Sequence, residues 1–157
     1  AGGEAKLLNE GLSAQGMGVA GGYIYISDFT SQSVKRLPTN GGAPENFGTP
    51  SADLPYLTAL TVSDKAVYWV DKGNLETSTF SMPVTVSGLG KVEEGNLSVE
   101  GNRIYWQDDT VGYTSLDGSG CTTVVHGDFP ANADEYGLTT NYVFVAGDSK
   151  LIRVPKN

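Results

Sequence analysis

A five-residue phrase recurs four times in this chain, and its spacing constrains the fold more than any other feature. It reads Ile24-Tyr25-Ile26-Ser27-Asp28, Val67-Tyr68-Trp69-Val70-Asp71, Ile104-Tyr105-Trp106-Gln107-Asp108 and, more faintly, Val143-Phe144-Val145-Ala146-Gly147. The last residues of the copies are 43, 37 and 39 positions apart. Wrapping from Gly147 through the C-terminus to Asp28 gives 38. A period near ~40 with several short strands per unit is the signature of a propeller-like array. Within each phrase the side chains alternate between two faces, and both faces are apolar. Such a strand is buried on two sides, as in a sheet sandwiched between two others.

Composition agrees with an all-β chain. Of 157 residues 21 are Gly and only 18% are charged, which suits many tight turns rather than helices or disorder. Each unit reads as four strands. The first is Met17-Gly18-Val19, Ala59 to Val62, Asn96 to Val99 or Gly137 to Thr140, and a tight turn leads from it into the phrase. The third is Val34 to Leu37, Leu75 to Phe80, Val111 to Leu116 or Leu151 to Val154. A weaker fourth follows, clear at Thr122 to Val125 and poorer at Pro44 to Phe47 and Lys91-Val92. No segment has the period of a helix.

The two chain ends read as halves of one unit. Arg36-Leu37-Pro38-Thr39-Asn40 runs on into Gly41-Gly42-Ala43-Pro44-Glu45. Arg153-Val154-Pro155-Lys156-Asn157 has its continuation at the other end, in Ala1-Gly2-Gly3-Glu4-Ala5. The expectation is therefore a single β-propeller domain over 1–157. A strand at 4–9 completes the last blade, with blade one at 16–49, blade two at 57–94, blade three at 96–127 and blade four at 136–157. Completion in cis makes a four-bladed ring; completion in trans makes an eight-bladed homodimer; a piece of a longer array is the third option.

The phrases of units two and three resemble the Tyr-Trp-Thr-Asp repeat of low-density-lipoprotein-receptor-type propellers. Leu116-Asp117-Gly118 resembles the turn that follows there, and the Gly-Gly turns resemble bacterial propellers of related repeats. Unit one departs with Ile26-Ser27 and unit four with Val145-Ala146-Gly147. The resemblance implies a rigid binding module outside the cytoplasm, in which the repeat Asp is largely structural.

Catalytic residues are sparse. His126 is the only histidine and Cys121 the only cysteine, and five positions along one strand put them on opposite faces. The carboxylates Asp28, Asp71, Asp108 and Asp148 all follow second strands, on one end of the array. There they would bond the amides of their own turns, or converge on calcium, or serve a hydrolase or lyase. Phe29, Tyr56, Phe129 and Tyr136 fall in loops on that same end, as candidate contacts for a protein or carbohydrate ligand. A net charge of -8 speaks against nucleic acid, and no apolar run reaches the ~20 residues of a membrane span. No signal peptide is seen, and a start at Ala1 leaves room for a leader already removed. The expected role is a non-enzymatic binding module without a cofactor.

Overall fold

A computed structural model describes residues 5–48, 56–81, 87–92, 96–107, 111–120, 122–125, 133–147 and 150–156. These residues form four antiparallel sheets and no helix. Sheet one runs β1 (Ala14–Ala20), β2 (Tyr23–Asp28), β3 (Ser33–Pro38), β4 (Glu45–Gly48). Sheet two runs β5 (Leu57–Val62), β6 (Ala66–Asp71), β7 (Asn74–Thr79), β8 (Ser87–Lys91). Sheet three runs β9 (Asn96–Glu100), β10 (Arg103–Gln107), β11 (Val111–Ser115), β12 (Thr122–Val125). Sheet four has β13 (Ala133–Leu138), β14 (Tyr142–Gly147) and β15 (Lys150–Pro155). In every sheet the strands neighbour one another in chain order, so each is a simple meander.

The repeated phrase forms the second strand of each sheet, hydrogen-bonded on both edges. Its alternation then decides the packing. The first strands stack in succession, β1 on β5, β5 on β9 and β9 on β13. Each sheet has a forward face, toward the next sheet, and a rear face, toward the one before. Tyr25, Val34 and Phe47 on the forward face of sheet one pack with Leu60, Val67 and Trp69 on the rear face of sheet two. Tyr68 of sheet two and Ile104 of sheet three share the second cluster, and Val111, Val143 and Val145 make the third. Burying one such side chain contributes roughly 1.5–3 kcal/mol, so the repeated phrase alone accounts for much of the cohesion between sheets.

Two glycines set how closely the layers approach. A Cβ on Gly16 would lie 2.4 Å from the Leu60 backbone nitrogen, so β5 nestles onto β1 only because that side chain is missing. A Cβ on Gly112 would lie 2.2 Å from Cζ2 of Trp106, the cross-strand partner over whose strand the indole lies. The other tryptophan is served differently. Trp69 Nε1 donates to Oε2 of buried Glu76, its neighbour on β7, at 2.6 Å. A buried indole N–H without an acceptor is costly, and Glu76 supplies one.

Two expectations meet a different arrangement. Residues 5–9 form no strand, and β15 is an edge strand among the described residues. The segment lies instead beside the β3–β4 turn of sheet one, where Lys6 Nζ donates to the Asn40 carbonyl and Leu8 rests against Gly41. The other difference is at β13, which starts at Ala133 and draws Tyr136 out of the preceding loop into the ladder opposite Val145.

Candidate binding face

The carboxylates at the strand ends are occupied by their own turns. Asp28 is buried, and its Oδ1 accepts the Ser13 amide at 2.9 Å while its Oδ2 accepts the amide and hydroxyl of Ser31. Burial alone would raise its pKa. The bonds from the Ser31 hydroxyl and from the Ser13, Ser31 and Thr30 amides outweigh that and hold the carboxyl below its ordinary 3.8. Asp71 repeats the device in sheet two, its Oδ1 accepting the Tyr56 amide at 2.7 Å. The backbone returns the contact in both places, Phe29 N to Ser13 O and Lys72 N to Tyr56 O. The repeat Asp thus ties the end of the second strand to the residue entering the first strand of its own sheet. That bond directs the acid inward, at the chain, and leaves the flanking aromatic residues facing solvent.

Those residues are Phe29 and Tyr56, which meet although 27 positions separate them. Their rings pack edge to face with centroids 6.0 Å apart, and they remain 41% and 47% exposed. Two apolar rings in contact with each other and still half open to water form a small sticky platform. Gln32 holds its geometry from below, donating Nε2 to the Phe29 carbonyl at 2.7 Å and accepting the Leu57 amide, so it bridges sheets one and two. Gln32 and Lys72, in the two neighbouring loops, are the non-glycine residues with positive φ among the described residues, each at 49°. Strained backbone of this kind gathers where loops are shaped for contact.

Of the remaining candidates, Asp108, His126, Phe129, Asp148 and Cys121 lie outside the described residues. Tyr136 stands in β13 at the register position of Met17, Leu60 and Leu97, all first-strand residues, so its backbone belongs to a sheet and not to the rim loop. Among the described residues no three His, Cys, Asp or Glu side chains gather as metal ligands. No helix among them is long and apolar enough to cross a membrane.

The opposite end of the array holds a feature that reading the chain unit by unit passed over. A cleft of about 300 Å³ opens between sheets two and three, lined by Lys65, Ala66, Tyr68, Thr77, Thr79, Asn102, Leu116 and Asp117. Register explains it. At the equivalent pair of positions sheet one sets Arg36 over Tyr23 at 4.7 Å, and sheet four sets Arg153 over Tyr142 at 4.6 Å. Sheet three has the pair exchanged, with Arg103 over Tyr113 at 4.1 Å. Sheet two has Ala66 and Thr77 there, and the space that the others fill stays open. Aligning the four units at these two positions would have exposed the gap.

No family model matches the sequence, and no curated protein matches it. Solved structures do match. The chain superposes on the computationally designed Ika4 protein with a TM-score of 0.70 at 14% identity, each chain covered completely. A chain of the nidogen/laminin complex matches at 0.64 and 13% identity over 89% of this chain and 64% of that one. Glutaminyl cyclase of Myxococcus xanthus matches at 0.60 and 15%, over 92% and 66%. The designed Ika8 protein matches at 0.69 and 13% over 92% of this chain and 46% of its own, so Ika8 is about twice as long. The chain thus spans at most two thirds of the natural proteins named here. At such identities the likeness is one of fold, a propeller-like repeat of β-meanders.

Proposed function

We propose that this chain is a non-enzymatic binding module of the β-propeller type, built from receptor-type repeats and working outside the cytoplasm. Its four sheets are blades, and its ring is completed either within the chain or by a second copy. It presents a protein ligand with the end that carries Phe29 and Tyr56. One observation carries the reading: two aromatic rings half exposed on a rim, clamped from beneath by Asp71 and Gln32. The rival reading, a calcium-dependent hydrolase or lyase, draws on the same end. It is weakened where Asp28 and Asp71 commit oxygens to turn amides, and the proposed role uses no cofactor. Neither nucleic acid nor a membrane span belongs to it.

The test compares the wild-type chain with Phe29→Ser/Tyr56→Ser in capture from an extracellular protein fraction. A partner retained by the wild type and lost by the variant supports the rim as its site. A partner held equally by both contradicts it.

A carbohydrate ligand is favoured by a different observation, the cleft between sheets two and three. Tyr68, Thr77, Thr79, Asn102, Lys65 and Asp117 line it, residue types that donate and accept hydrogen bonds as a sugar's hydroxyls require. Ala66→Tyr/Thr77→Arg installs the filling found in the other sheets. A glycan array that binds the wild type and Phe29→Ser but not the filled variant would assign the sugar to the cleft; binding by the filled variant would exclude it.

A further inference from the structure

The two end faces of the array differ from the internal ones in a way that names their partner. One forward-face position on the third strand is occupied by Val34, Leu75 and Val111 in sheets one to three, each 0% exposed beneath the next sheet. Its equivalent in sheet four, Leu151, is 73% exposed. On the rear face, Leu60 of sheet two is 5% exposed, whereas Met17 at the same register in sheet one is 63% exposed and Val19 beside it 57%. The chain's own fourth sheet therefore does not cover its first, since closure in cis would bury all three. Each open face carries the residue types that its internal counterparts bury.

Forward face four also repeats forward face one in detail. Tyr142, Phe144 and Arg153 stand where Tyr23, Tyr25 and Arg36 stand, with the guanidinium over the tyrosine ring in both. In sheet one that set receives Phe80 of the next sheet, 5.5 Å from Tyr25 between centroids. The N-terminal segment supplies a third sign. Residues 5–9 lie along the turn of sheet one without strand partners, and Asn9 Oδ1 is buried with no hydrogen-bond donor. In sequence register Leu8 corresponds to Phe47, the outer-strand residue of sheet one that packs onto sheet two. Leu8 against Gly41 thus sits where the outer strand of a preceding blade would sit, while β15 is an edge strand among the described residues.

We infer that a second copy of this chain completes the ring. Forward face four of one copy packs on rear face one of its partner, and residues 5–9 of each pair with β15 of the other. The contact is made twice in an eight-bladed dimer and reuses the interface already present between sheets one and two. This rests on the reading of the sheets as propeller blades and, among closure in cis, closure in trans and a piece of a longer array, takes the second.

Light scattering across a concentration series tests it with two variants, Met17→Asp/Val19→Asp on the rear face and Leu151→Asp on the forward face. All three residues are exposed in the single chain, so the blades stay folded, and the emission of buried Trp69 monitors this. The wild type is expected at twice 16.5 kDa and each variant alone at the single mass. An equimolar mixture of the two variants is expected to regain some dimer, because one of its two contacts is then wholly wild type. A monomeric wild type, open-ended growth of mass, or a variant that stays dimeric would overturn the inference. So would a mixture that stays monomeric, since faces that meet like with like gain nothing from mixing. None of these outcomes bears on the rim, which is tested by Phe29→Ser/Tyr56→Ser.

Discussion

Gly112 and Asp28 show how single residues hold this fold, and each exposes it to a specific test. Gly112 gives the Trp106 indole a floor without a side chain. Gly112→Ala places a methyl inside the ring's contact distance, and overpacking of this kind costs about 1–3 kcal/mol. Urea unfolding should show that loss, and an unchanged midpoint would mean that the indole lies elsewhere. Asp28 acts through charge. Its folded pKa is depressed, so its contribution to stability is complete above the unfolded value and is lost as pH falls through the folded one. Asp28→Asn should cost about 1.5–3 kcal/mol at neutral pH and flatten the stability profile below pH 3.8. A variant whose acid limb matches the wild type would show that the turn does not depend on this carboxylate.

At the scale of the strand, the chain was most legible where one pattern served both the ladder and the packing. The phrase around Trp69 and Trp106 is apolar on alternate residues over both faces, which is why the second strands and their two-sided burial were readable. Trp106→Ala should therefore cost about 3–5 kcal/mol by leaving a cavity between sheets two and three. A loss below ~1 kcal/mol in the same unfolding experiment would contradict burial of the indole. Tyr136 was misplaced because Ala133-Asp134-Glu135 carries loop-forming residues, and only pairing with β14 makes them a strand. The cleft escaped notice for a related reason. Ala66 and Thr77 are unremarkable until set beside the Arg and Tyr that occupy their register in the other sheets. Phe29 and Tyr56 were legible as loop residues, but their contact with each other depends on how sheets one and two stack.

For the whole molecule the central question is what lies beyond the first and fourth sheets. The matching halves at the chain ends were visible in sequence, but sequence alone does not choose between a ring closed within the chain and one closed by a partner. The proposal of closure by a partner draws on exposure, because Met17, Val19 and Leu151 face solvent at positions that are buried wherever one sheet meets the next. Hydrogen exchange along β15 is the most direct measurement of that claim. In the proposed dimer this edge strand gains a partner strand from residues 5–9 of the other copy. Its outward amides should thus pass from rapid exchange at high dilution to protection like that of β3 as concentration rises. Exchange at β15 that stays rapid at every concentration would contradict the account.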